Sequence, residues 1–107
     1  MKLILIDEQG LKFDDGTVVE HFHDQDCCET VYADWKQLED TGILNREFND
    51  IKIEGVKRSG FRLNGYFVPC YNEQNGYYSD GLEVWITKGN EKRVVDVSEF
   101  VEDKIEP

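Results

Sequence analysis

Leu11-Lys12-Phe13-Asp14-Asp15-Gly16-Thr17-Val18-Val19-Glu20-His21-Phe22, residues 11–22, decides the class of fold. Two apolar-rich runs, 11–13 and 17–22, flank Asp14-Asp15-Gly16. An Asp-Gly pair supplies the positive φ that a tight turn needs, so the stretch predicts a β-hairpin. Toward the amino terminus, residues 2–7 hold the run Leu3-Ile4-Leu5-Ile6, closed by Glu8-Gln9-Gly10, and read as a strand. Toward the carboxyl terminus, His23-Asp24-Gln25-Asp26 is a polar turn.

Residues 27–40 carry two signals. Cys28, Val31, Tyr32, Trp35 and Leu38 share a helical face, with Asp26 and Glu29 at capping-box spacing. Cys28, Thr30, Val31 and Tyr32 favour strand, and Asp34 with Gln37 would cap a helix starting at Trp35. The preferred reading is a strand over 27–33 and a short helix over 35–40, ended by Thr41-Gly42. Beyond it, Ile51, Ile53 and Val56 alternate with polar residues, and 61–71 reads as one long aromatic strand with Pro69 at an edge or bulge. Asn75-Gly76 marks a turn. Leu82, Val84 and Ile86 share one strand face and Trp85 takes the other; Gly89-Asn90 turns into 93–97, and Ser98 caps a last short helix. The expected fold is α+β: a mostly antiparallel twisted sheet or small open barrel with one or two short helices. Leu3, Leu5, Val31, Trp35, Leu38, Leu63, Val84 and Ile86 are the expected core.

The 107 residues fit a single domain, 1–107, that can bury roughly two thirds of its unfolded surface. The formal charge is −11, unevenly spread: residues 1–50 hold 13 acids and 4 bases. Glu20 to Asp40 alone holds seven acids against one lysine. Lys52, Lys57, Arg58 and Arg62 make only a weak positive patch beside Asp50 and Glu54, so direct nucleic-acid binding is not expected. The longest apolar run is too short for a bilayer, and the amino terminus lacks a secretory pattern. With an odd number of cysteines, Cys27, Cys28 and Cys70, reduced thiols in a cytoplasmic setting are expected.

His21, His23, Asp24, Asp26, Cys27, Cys28 and Glu29 crowd into nine positions. Strand alternation puts His21 and His23 on one side, where they could share a metal ion with Cys27 or Asp26. The opposing reading is structural: no Cys-x-x-Cys element is present, a four-ligand zinc site would need the distant Cys70, and cysteines commonly fill cores. A thiol nucleophile at Cys27 or Cys28 near His23 is a further chemical option, but surrounding acids raise a thiol pKa and work against it. Tyr66, Phe67, Tyr71, Tyr77 and Tyr78 gather around Asn75-Gly76, as a binding patch or as cross-strand packing.

Gln25-Asp26-Cys27-Cys28-Glu29, with Val31 two positions on, and Asn75-Gly76-Tyr77-Tyr78-Ser79 resemble the two signature stretches of a family of small uncharacterised bacterial and bacteriophage domains. The resemblance covers about ten residues. It implies that the two stretches meet in the fold and that the chain comes from a bacterium or phage; it brings no activity with it. The expectation is a non-enzymatic binding or accessory module without a cofactor, a monomer or weak dimer with a basic protein partner. Its binding residues are His23, Asp24, Asp26, Cys27, Cys28, Glu29, Asn75, Tyr77 and Tyr78. The alternatives are a metal-dependent or thiol enzyme using His21, His23 and Cys27, and an acidic nucleic-acid mimic that blocks a DNA-binding protein.

Overall fold

The computed structural model describes residues 1–23, 31–72 and 81–103. Among them are ten strands: β1 (Leu3–Ile6), β2 (Gly10–Phe13), β3 (Val18–Phe22), β4 (Val31–Ala33), β5 (Ile53–Val56), β6 (Gly60–Leu63), β7 (Tyr66–Asn72), β8 (Glu83–Lys88), β9 (Glu91–Asp96) and β10 (Glu102–Asp103). One sheet runs β1-β2-β3-β8-β9; the other runs β10-β7-β6-β5, with β4 also on β7. Every pairing is antiparallel except β10 with β7. The architecture is therefore mostly antiparallel sheet, as the turn signals imply, and neither sheet closes into a barrel. No helix among the described residues is long and apolar enough to cross a membrane.

Among the described residues, the α part of the expected α+β class shrinks to two 3₁₀ segments, Trp35–Thr41 and Ser98–Phe100. The first follows from its apolar spacing. Trp35 and Leu38 are three residues apart, and three residues per turn superimpose them on one buried face. Asp34 makes no side-chain cap; its carbonyl instead accepts from the Gln37 N–H at 3.4 Å. Gly42, at φ 77°, ends the segment as the Thr41-Gly42 signal predicts. Ser98 does not cap the second segment either. It begins it, and its hydroxyl donates to Asp96 Oδ1 at 2.6 Å.

The Asp14-Asp15-Gly16 hairpin joins β2 to β3 and is locked from both sides. Phe13 N–H donates to Thr17 O at 2.9 Å, and Asp15 Oδ1 accepts from Thr17 N–H at 3.0 Å. A second hairpin overturns the single long strand expected over 61–71. Asn64 and Gly65 have φ of 50° and 89°, the paired positive values of a two-residue turn, and split the stretch into β6 and β7. Asn64 anchors that turn: its Oδ1 accepts from Lys52 N–H and its Nδ2 donates to Asp50 O, both at 2.7 Å.

Pro69 marks a change of partner along β7. Residues from Tyr66 to Pro69 pair with β6, and those from Cys70 to Asn72 pair with β4. The Pro69 carbonyl accepts from Asp34 N–H at 2.8 Å, so its missing N–H faces the same side, just past the end of β4.

Leu3, Val31, Trp35, Leu38, Leu63 and Val84 are buried, as expected, and Ile86 packs half-buried against them. Leu5 is not a core residue. The β1–β2 register slips between Leu3, opposite Phe13, and Leu5, opposite Lys12. The extra residue turns Ile4 and Leu5 outward, 51% and 43% exposed, and returns Ile6 to the core. Buried residues of both sheets form one cluster, and Trp35 ties them together: its ring meets Phe61 of β6 edge-on at 5.6 Å and its indole N–H reaches β3.

Candidate functional site

His21 lies on the inner face of β3, beside buried Val84 of β8. Its Nδ1 accepts a 2.8 Å hydrogen bond from Trp35 Nε1–H, with the two rings nearly parallel, 16° apart. An indole N–H can only donate, so the neutral imidazole carries its proton on Nε2. Burial, and then the charge of neighbouring His23, lower the His21 pKa from its usual 6.5, which favours that neutral form. His23, one step beyond β3, is held in the opposite sense. Its Nδ1 meets the Gly81 carbonyl, which can only accept, so Nδ1 is the protonated nitrogen.

These tautomers bear directly on the metal reading. In His21 one nitrogen's lone pair is taken by the Trp35 hydrogen bond and the other nitrogen carries the proton. Ligation by His21 would require breaking a bond to a fully buried tryptophan. Cys27, the third member of that set, lies outside the described residues, as do Asp24, Asp26, Cys28, Glu29, Asn75, Tyr77 and Tyr78. Cys70 is a core thiol on β7; burial pushes its pKa up to about 12, far from the thiolate that a ligand or nucleophile needs.

Residues 24–30, which include Gln25 to Glu29, and residues 73–80, which include Asn75 to Ser79, are each flanked by described residues. His23 precedes residues 24–30 and Val31 follows them; Asn72 precedes residues 73–80 and Gly81 follows them. His23 is bonded to Gly81, and Val31 is the register partner of Asn72. The residues flanking one stretch are thus partners of those flanking the other. Both stretches connect the sheet containing β3 and β8 to the sheet containing β4 and β7. β10 runs alongside the end of β7, with Glu102 opposite Tyr71 and Asp103 opposite Asn72.

The aromatic group divides. Tyr66 packs on Phe48 against the core and Tyr71 packs on Tyr32, with ring centroids 5.7 Å apart, while Phe67 is exposed. Another aromatic cluster, unmarked by any motif, sits on the outer face of the β1-β2-β3-β8-β9 sheet. Phe22 stacks on Trp85 at 4.4 Å, and Lys92 Nζ lies 3.4 Å from the Trp85 ring centre. Its one sequence signal is the alternation along residues 82–86, which turns Trp85 away from Leu82, Val84 and Ile86.

Compared with protein-family models, with curated proteins and with solved structures, the chain matches none.

Proposed function

We propose that this chain is a non-enzymatic binding or accessory module of a bacterial or phage cytoplasm, acting on a basic protein through the acidic and aromatic residues of its two signature stretches. Asp24, Asp26 and Glu29 supply charge; His23, Asn75, Tyr77 and Tyr78 supply directional contacts; Cys27 and Cys28 sit within the same stretch. The observation that carries this reading is the shared anchorage of the two stretches, His23 to Gly81 and Val31 to Asn72. The described residues that flank one stretch are partners of those that flank the other, which supports a joint role, and the net charge of −11 adds a long-range attraction for cations. Tyrosines suit such a surface because they give large contact area at low ordering cost.

The test is calorimetric titration of the protein with a defined lysine- and arginine-rich peptide at low and high salt. Binding that weakens with salt, and that weakens about tenfold when Asp24, Asp26 and Glu29 are neutralised together as Asp24→Asn, Asp26→Asn and Glu29→Gln, is the expected outcome. Salt-insensitive binding, or binding that ignores the triple substitution, would refute it.

A further inference from the structure

The outer faces of β3, β8 and β9 form three cross-strand rows. Phe22, Glu83 and Asp96 make the first; Glu20, Trp85 and Val94 the second; Val18, Thr87 and Lys92 the third. No described element packs over them: Phe22 is 39% and Val94 45% exposed. Trp85 is not a flat stacking platform. Phe22 covers it from the first row and Lys92 from the third, and its indole N–H donates to Glu83 Oε1 at 3.1 Å.

The first row holds a conflict. Glu83 and Asp96 are direct register partners, and like charges placed opposite each other on a sheet repel. Each has one oxygen engaged by a neutral donor, Trp85 Nε1–H for Glu83 and the Ser98 hydroxyl and N–H for Asp96. Among the described residues no cation pairs with either. Both border a surface concavity of about 370 Å3 whose remaining wall is Phe22, Gly81, Leu82 and Ser98. The Phe22, Trp85 and Val94 patch thus borders two opposed carboxylates at one end. A guanidinium complements that corner: it can bond both free carboxylate oxygens while its plane lies on the Phe22 ring.

We infer that the outer face of β3, β8 and β9 docks a basic segment of a partner protein, with an arginine between Glu83 and Asp96 and an adjacent apolar residue on Val94 and the Trp85 edge. The inference rests on the proposed basic partner and extends its footprint beyond the signature stretches; Phe22 is two residues from Asp24. Nucleic acid is disfavoured because phosphates would meet Glu20, Glu83 and Asp96. A second copy is disfavoured because it would bring another −11 against the first.

The test uses a short peptide alternating arginine and valine, titrated into the full chain and followed by Trp fluorescence and calorimetry. Glu83→Gln combined with Phe22→Ser is expected to weaken binding about fivefold or more, while a glutamate–valine control peptide does not bind. Circular dichroism and the melting temperature check that the variant stays folded; Lys12→Gln, on the same face but away from the corner, serves as a substitution without effect. If the Asp24, Asp26 and Glu29 substitutions abolish binding while the Glu83 and Phe22 pair leaves it unchanged, this face is not the dock and the proposed function survives. If the peptide binds neither surface, both readings fall. If sedimentation instead shows a dimer that Phe22→Ser dissociates, the occupant is a second copy and the inference is overturned.

Discussion

Trp35 and Trp85 stand on opposite faces of one sheet and are held by different physics. Trp35 is fully buried; its N–H satisfies His21 and its ring packs on Phe61. Trp85 is half-buried on the open face, with its N–H on Glu83, one ring face on Phe22 and an ammonium on the other. Removing water makes the first site rigid and intolerant. The second is a surface assembly of weak contacts, each replaceable, and such an assembly can exchange its own contacts for those of a partner.

The contrast makes graded predictions. Trp35→Ala should cost about 3–5 kcal/mol, through the cavity it leaves and the broken bond to His21, read as a loss of denaturation midpoint. Gly60→Ala should cost about 3 kcal/mol in the same assay, because a Cβ there would sit 2.1 Å from the Val68 carbonyl oxygen, backbone that cannot move aside without breaking the β6–β7 ladder. Trp85→Ala should cost only about 1–2 kcal/mol, and Lys92→Ala about 0.5 kcal/mol. Equal costs for the two tryptophans would remove the distinction.

A finer test is acid. The folded pKa of His21 is lowered, so the unfolded chain binds the proton more readily. Stability from His21 is complete above its unfolded value near 6.5 and is lost as the pH falls through the lower folded value. Protonation also places an N–H against the Trp35 N–H. His21→Gln keeps an acceptor for Trp35 but cannot titrate, so its stability should fall less steeply over that window; an unchanged slope would show that His21 does not govern it.

The β-rich architecture was readable wherever turn chemistry is local. Asp15-Gly16 and Gly89-Asn90 each specify a hairpin from two or three residues, and both hairpins are present. The same logic applied to Asn64-Gly65 would have divided 61–71, but the surrounding aromatic run masked it. Leu5 departs from the expected core because alternation carries no sign of a bulge, which depends on pairing with Lys12 rather than on the residue itself. For the site, the clustering of His21 and His23 was visible, whereas their opposed tautomers depend on Trp35 and Gly81, 14 and 58 residues away. Alternation puts Trp85 on the face opposite Val84, but its neighbours Phe22 and Lys92 come from two other strands, which no local pattern reveals.

Both indole N–H groups can be followed in one 15N–1H spectrum of the labelled protein. As the arginine–valine peptide is added, the Trp85 indole signal should move progressively with occupancy while the Trp35 signal stays in place. A shift of Trp35 alone, or no shift of Trp85 at saturation, would contradict the division between a closed inner face and a receptive outer one.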